Sequence, residues 1–317
     1  MSLRVALVGC GAVVDKVMAA YTALPHLAEV VAVVDTHLDR AASVALTLGA
    51  SAYDSLGAAL AAQDVDAVDI RVPHAWHEPV ALEAIAAGKH VLVEKPLAAT
   101  LEAGTRVVQA AENAGLVLAV AENYSFFEPV AAARRLMDEG AVGAVMVART
   151  HRVTNMGGIW VRDRWRIDGA VGGAASGVLV DQGCHHANLL RRLVGEVTHV
   201  SAYAAVRHPE WTATDVAVVN CRLAAGGIAQ QFFCWGTATT APGAEATVYG
   251  VEGSIEIRVR YGQAGGGVVL FRPDLPPEGE WVSHAGDYHA SFLPTVEDWL
   301  LACRGDKAPV MSGAEGL

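Results

Sequence analysis

Two short stretches of the chain carry residue types whose spacing could do acid–base chemistry. Glu94-Lys95-Pro96 closes an apolar run, and a lysine at the carboxyl end of a buried strand is partly desolvated. Desolvation lowers its pKa toward acid/base use, and Pro96 would stiffen the turn that aims it. A solvated lysine paired with Glu94 explains the same residues equally well. The second stretch is Gly172-Gly173 followed by Asp181-Gln182-Gly183-Cys184-His185-His186. On a helix Asp181 and His185 stand one turn apart on one face, both in the first turn, where a carboxylate and an imidazole could grip neighbouring hydroxyls. An N-cap aspartate and a surface histidine give the same pattern, so both readings stay open here.

A third stretch could hold a phosphate. Gly9-Cys10-Gly11 follows the first apolar run and opens a helical one, with Ala12 and Val13 completing the turn. Gly9 would allow the tight turn, and Gly11 would let the backbone approach a pyrophosphate resting on the helix N-terminus. The sixth position is Val14 rather than Gly or Ala, which predicts looser packing of that helix on its sheet. A glycine turn without a ligand is the competing reading. Asp35 ends the second apolar run, where an acid accepts hydrogen bonds from the adenosine ribose and repels a 2′-phosphate. NAD is therefore favoured over NADP, although Arg40 could reverse the preference by swinging toward the ribose. Asp35 as a simple cap of the next turn is the alternative.

The elements that must position these residues can be read from periodicity. Val5–Val8, Val30–Val34, Ala67–Val72, His90–Glu94 and Val117–Val120 are short apolar runs suited to strands buried on both faces of a parallel sheet. Helical stretches lie between them: His77–Ala87 stops at Gly88, and Thr100–Ala114 starts at a candidate N-cap and stops before Gly115. The alternation predicts an α/β fold, a Rossmann doubly wound parallel sheet over 1–122. After Tyr124 the texture changes. Helices are expected at Pro129–Glu139 and Gln182–Val194, with strands at Val145–Val153, Val197–Val206, Asp215–Leu223, Gly227–Trp235, Glu245–Tyr249, Ser254–Val259 and Val268–Phe271. That succession predicts a C-terminal α+β domain over 123–317 on a mostly antiparallel open sheet, partly covered by a last helix at Tyr288–Cys303.

Composition narrows the function classes. A chain of 317 residues exceeds one core's usual size, and 53% hydrophobic against 18% charged residues argues for globular domains. The formal net charge of -11, without a basic block, would repel phosphate backbones, so nucleic acid is not an expected partner. No apolar stretch reaches the roughly 20 residues of a membrane span, and the start lacks a signal-peptide pattern. Cys10, Cys184, Cys221, Cys234 and Cys303 are odd in number, widely spaced and without a C-x-x-C pair. They predict reduced thiols in a cytoplasmic protein.

Taken in order, Val72-Pro73-His74-x-x-His77, Gly88-Lys89-His90 through Glu94-Lys95-Pro96-Leu97, Trp165-Arg166, Gly172-Gly173 and Asp181-x-Gly183-x-His185 ending in Leu193-Val194-Gly195 resemble one family. It is the glucose–fructose oxidoreductase / inositol dehydrogenase (Gfo/Idh/MocA) family, and the likeness runs through essentially the whole chain. The resemblance implies that Lys95, Asp181 and His185 form the catalytic group. It implies hydride transfer between a substrate carbinol carbon and the nicotinamide, with Lys95 and His185 handling the hydroxyl proton and Asp181 positioning hydroxyls. Cofactor contacts are expected from Gly9, Cys10, Gly11, Ala12, Val13, Asp35, Arg40, Val72, Pro73, His74, His77, Glu94, Lys95, Asn123 and Trp165. Substrate contacts are expected from Lys95, Tyr124, Trp160, Arg166, Asp181 and His185. The chain departs from the family at His74, where Asn is frequent, and at Ser125, where Arg is common. The family's last helix would follow Pro309-Val310-Met311-Ser312, so the chain is expected to be shortened there.

Trp76, Trp160, Trp165 and Tyr124 could stack on sugar rings, or simply cover loops and pack the core. His74-Ala75-Trp76-His77 and His185-His186 lack metal-ligand spacing, so no catalytic metal is expected. The leading expectation is an NAD-dependent dehydrogenase of a sugar, inositol or related polyol. An NAD-dependent redox-neutral glycoside hydrolase and a non-catalytic NAD(H) sensor compete with it. The resemblance also implies a homodimer or homotetramer formed through the open sheet face. The segments Gly157–Asp168 and Val206–Thr214 stand where substrate specificity is expected.

Overall fold

The apolar runs of the N-terminal third form parallel strands: β1 Leu3–Val8, β2 Ala28–Val34, β3 Ser51–Tyr53, β4 Ala67–Ile70, β5 His90–Glu94 and β6 Leu118–Ala121. This is a computed structural model that describes residues 2–155, 164–240, 243–259 and 266–317. Helices α1 Val14–Ala23, α2 Leu38–Leu48, α3 Leu56–Ala62, α4 His77–Ala86 and α5 Leu101–Ala114 connect the strands. Thr100 caps α5 through the Ala103 amide at 3.2 Å, and left-handed Gly115 ends it, as the capping residues predict. The sheet order β3-β2-β1-β4-β5-β6 puts the reversal between β1 and β4, so their carboxyl ends flank the crevice where such sheets bind ligands. Strand β3, three residues long, was too short to read from periodicity.

The chain divides into two compact units, Met1–Asn123 with Phe292–Leu317, and Tyr124–Ser291. This corrects the expectation that 123–317 folds as one domain. It also corrects the place of the last helix. Tyr288–Ser291 is a 3-10 turn, the α-helix runs Phe292–Cys303, and it packs on α1 in the first unit instead of covering the second sheet. Its buried Val296, Trp299 and Leu300 are one apolar face that needs a partner, and α1 supplies it. The residues that follow close the sheet's edge. Val120 donates its amide to Met311 O at 2.8 Å, and Ala119 bridges Ser312, so β6 is not left as an open strand.

In the second unit α6 Glu128–Asp138 leads to β7 Val145–Val153, and short helices lead to the helix Gly183–Val194. Strands β8 Val197–Ala205, β9 Val216–Leu223, β10 Ile228–Cys234, β11 Ala246–Gly250, β12 Ser254–Arg258, β13 Gly267–Phe271 and β14 Glu280–Ser283 follow. The sheet order is β14-β13-β12-β11-β7-β10-β9-β8; β7 and β10 run parallel, and the other neighbours run antiparallel. Leu189, Leu190 and Leu193 of the helix Gly183–Val194 share a buried core with Ala148, Phe233 and Trp235 of the sheet side. Arg149, Val200, Asn220, Ile228, Gln230 and Tyr249 line an open groove on the sheet.

Candidate active site

In the first unit the two glycines of the turn have different reasons to be glycine. Gly9 has φ 101°, and a Cβ there would stand 2.4 Å from Arg71 O, so only glycine fits between β1 and the chain leaving β4. At Gly11 a Cβ would meet nothing within 4 Å, so the turn is open on that side. Helix α1 begins at Val14 without a side-chain cap from Val13; the turn's own carbonyls take the Val14 amide (Gly11 O, 3.1 Å) and the Lys16 amide (Val13 O, 3.1 Å). Asp35 lies beside the turn. Its Oδ2 accepts from the Cys10 amide at 2.9 Å and its Oδ1 from the His37 amide at 2.8 Å. The carboxylate thus caps the next turn and is also fastened to the glycine turn; both readings of Asp35 hold. Burial and Asp35 push the Cys10 thiol up to about 12, with exposed Arg40 partly offsetting them, so Arg40 is within electrostatic reach of the turn. An open glycine cradle at a helix N-terminus and a ribose-type acid fit a dinucleotide.

Other expected cofactor residues are placed differently. Val72 and Pro73 are accessible on the loop after β4, whereas His74 is buried in a 3-10 turn with its ring edge-on to His77 at 5.5 Å. His77 is fully buried, with Nδ1 2.7 Å from Pro96 O and Nε2 2.9 Å from Val72 O. Burial lowers its pKa against the pull of the two carbonyls. This corrects the expectation of a direct contact: His77 clamps the loops after β4 and β5 together. Asn123 is likewise buried.

Half-buried Lys95 leads into a cis peptide with Pro96. Glu94 is not a loose carboxylate. Its Oε2 accepts from Arg71 Nη1 at 2.6 Å and its Oε1 from the Lys95 amide at 3.2 Å. Arg71 is held in turn by Asp69, through Nε at 2.6 Å and Nη2 at 3.2 Å, and Asp69 accepts from Tyr21 OH at 2.9 Å. Sequence reading missed Tyr21, Asp69 and Arg71. A signal existed, because opposite charges two residues apart inside an apolar strand share one face.

In the second unit Asp181 closes a short helix, Val178–Asp181, and His185 lies in the first turn of the next, Gly183–Val194, with Gln182 between. The expected single helix with both residues in its first turn is corrected to two helices meeting at Gln182. Both side chains are buried. Arg166, expected to touch substrate, pairs through Nε with Asp181 Oδ2 at 3.2 Å, and its guanidinium lies 4.1 Å over the Trp165 ring. Thr212 and Ala213 donate their amides to Ile167 O, each at 3.1 Å, and Thr212 Oγ1 donates to Asp168 Oδ1 at 2.8 Å. Val178 N donates to Thr214 O at 2.7 Å. The 206–214 segment therefore fastens the stretch that carries Arg166 and Asp181. Gly172 is required there, since a Cβ would fall 1.9 Å from Trp165 O.

Tyr124, expected at the substrate, is 2% exposed. Its ring lies 4.9 Å from the His185 ring, and its hydroxyl donates to Glu245 Oε1 at 2.6 Å. Tyr124 is corrected to a wall behind His185. Glu245 also receives His186 Nε2 at 3.2 Å and Arg152 Nη1 at 3.4 Å. Burial alone would raise its pKa, yet Arg152, His186 and Tyr124 together hold it down to about 2. Arg152 and Glu245 carried no sequence signal, being 93 residues apart. Ser125, at the family's arginine position, accepts from Asn188 Nδ2 at 3.0 Å. Trp160 lies outside the described residues.

The comparisons agree with this layout. Residues 3–122 match the family model described as "Oxidoreductase family, NAD-binding Rossmann fold", and 130–256 match the GFO/IDH/MocA C-terminal domain. The chain is 35% identical over 219 residues to dTDP-3,4-didehydro-2,6-dideoxy-alpha-D-glucose 3-reductase of Streptomyces violaceoruber, covering 68% of this chain and 61% of that protein. It is 31% identical over 232 residues to 1,5-anhydro-D-fructose reductase of Ensifer adhaerens, covering 72% of this chain and 67% of that protein. Several other curated relatives are matched over less than two thirds of their length. The fold is that of the WlbA dehydrogenase from Bordetella pertussis, solved with NADH and UDP-GlcNAcA, at a TM-score of 0.86 and 24% identity over 99% of this chain and 91% of that one. A parallel NAD-type sheet with an open glycine cradle, joined in sequence to this second domain, makes the chain a member of the Gfo/Idh/MocA oxidoreductase family.

Proposed function

We propose that the protein is an NAD-dependent dehydrogenase acting on a hydroxyl-bearing carbon of a sugar, inositol or related polyol. The observation that carries the reading is the glycine cradle, open at Gly11 and bound through the Cys10 amide to Asp35, in a chain of this family. Bound NAD supplies a hydride acceptor at the nicotinamide. Asp35 receives the ribose hydroxyls and disfavours a 2′-phosphate. Lys95 and His185 are the candidates for taking the hydroxyl proton, and Asp181, held by Arg166, orients neighbouring hydroxyls. The names of the two reductase relatives speak of sugars, which supports the substrate class.

The test is an NADH and NADPH titration followed by a sugar and polyol panel read at the NADH absorbance band. NADH is expected to bind more tightly than NADPH, and at least one panel member to turn over; equal or reversed affinities overturn the assignment of Asp35. Lys95→Ala is expected to cut turnover by about 100-fold or more with NADH binding intact. Unchanged turnover removes Lys95 from the mechanism.

The family resemblance and the exposed Val200, Ile228 and Tyr249 support a homo-oligomer formed through the second unit's open sheet face. Light scattering on Val200→Asp/Ile228→Asp checks it, with a fall to monomer mass expected. Among the described residues no helix is long and apolar enough to cross a membrane, and no disulfide joins the five cysteines. Five thiols outside disulfides support a reducing, cytoplasmic setting.

A further inference from the structure

Strand β4 and the residue after it hold two charges that a parallel strand buried on both faces does not need. Asp69 is fully buried and Arg71, one residue past the strand, is 5% exposed. Apolar residues of similar volume are often as stable as a buried ion pair or more so, so fold stability alone does not call for this one. Its position is informative. Asp69 pairs in register with Leu92 and Ile70 with Val93, which puts Arg71 beside Glu94. Asp69 accepts from Nε through Oδ1 and from Nη2 through Oδ2, Tyr21 OH donates to the same Oδ2, and Nη1 is left aimed at Glu94. The same residue's carbonyl oxygen is what forbids a side chain at Gly9. Arg71 therefore touches the cofactor turn with its backbone and the Glu-Lys-Pro motif with its side chain.

We propose that Arg71 is a positioning residue: oriented by Asp69 and Tyr21, it draws the Glu94 carboxylate to itself, so that the Glu94 charge is balanced at Arg71 rather than at the adjacent Lys95. For its catalytic consequence this rests on Lys95 as the proton-transfer group. The charged and titratable groups around Glu94 are Asp69 and Arg71 beside it, Tyr21 from α1, Cys303 behind Tyr21, and His77 from α4. Asp69 and Arg71 cancel, so removing both leaves the net charge of the cluster unchanged and concentrates it on Glu94.

The test reads Lys95 directly. The chain has four lysines, Lys16, Lys89, Lys95 and Lys307. Reductive methylation with 13C-formaldehyde gives few lysine signals, and the Lys95 signal is the one lost in Lys95→Arg. In Tyr21→Phe/Asp69→Val/Arg71→Met, which leaves no buried partner unpaired, the Lys95 titration midpoint is expected to rise by about half a pH unit or more. Adding Glu94→Gln is expected to abolish the rise. A merely structural role would lower the melting temperature and leave the Lys95 midpoint in place; an unmoved midpoint, or a rise that survives Glu94→Gln, overturns the proposal. If the triple variant does not fold, Arg71→Lys takes its place. A smaller rise is expected, and a midpoint equal to the parent's overturns the proposal. The measurement needs no turnover, so it stands apart from the substrate panel that tests the dehydrogenase reading.

Discussion

Each unit sets a buried tyrosine and a buried carboxylate against an arginine, and the two networks behave oppositely. In the first, one guanidinium serves two carboxylates, Asp69 and Glu94, and complete burial raises the Asp69 pKa despite the Arg71 and Tyr21 contacts. In the second, Tyr124, His186 and Arg152 all serve one carboxylate, and Glu245 is held at about 2 despite equal burial. Each carboxylate accepts three hydrogen bonds, so their number does not set the sign: Asp69 shares its one cation with Glu94, whose charge raises it further, whereas Arg152 and His186 both act on Glu245. The first network borders Lys95 and the second backs His185 through the Tyr124 ring.

The comparison breaks most visibly in stability. Glu245→Leu removes the carboxylate that serves half-buried Arg152 and fully buried His186 and is expected to cost about 3–5 kcal/mol in urea unfolding. Asp69→Leu leaves Arg71 paired with Glu94 and is expected to cost about 1–3 kcal/mol. Equal losses, or the reverse order, would remove the charge-sharing explanation.

Acid sharpens it next. Glu245 has a folded pKa below its ordinary 4.5, so its contribution is complete above that value and is lost as pH falls toward about 2. The advantage of the parent over Glu245→Gln is expected to be on the order of 3 kcal/mol at neutral pH and to fade across that window. Asp69 has the opposite sign: its folded pKa lies above 3.8, so its ionisation opposes folding as pH rises through that value. Urea midpoints of Asp69→Asn and its parent should therefore diverge in the other direction; parallel pH profiles for the two variants would contradict the pairing scheme.

A smaller effect separates shape from ligand contact within the first unit. Gly9→Ala meets Arg71 O and a left-handed backbone, and is expected to cost roughly 2 kcal/mol or more of stability. Gly11→Ala enters open space and is expected to leave stability within about 0.5 kcal/mol while weakening NADH by about tenfold. Calorimetry and an NADH titration distinguish them; an unstable Gly11→Ala would mean that the cradle is not open. Tyr124→Phe is expected to lose about 1 kcal/mol of stability from one hydrogen bond, with the ring still against His185.

Much of this was legible along the chain because it is local. The strand β7 Val145–Val153 and the end of β5 at Glu94 follow from apolar runs and their stops, and Thr100 and Gly115 mark their helix by capping chemistry. The site was legible only as residue types. Tyr124, His77, Glu94 and Arg166 were read as ligand contacts, yet each is committed to a protein partner: Glu245, two backbone carbonyls, Arg71 and Asp181. Their side chains announce chemistry, but whether it faces a ligand or the interior depends on neighbours far away in sequence.

The sequence by itself determined the alternation of strands and helices, the glycine turn with its acid, and the family's two motifs, because periodicity, capping and turn chemistry act over a few residues. Tertiary structure alone decided where the last helix packs, why Gly9 admits no side chain, and which carboxylates are matched by arginines. Those depend on close packing and on charge balance in a low dielectric, where one charge more or less from a distant strand reverses the outcome.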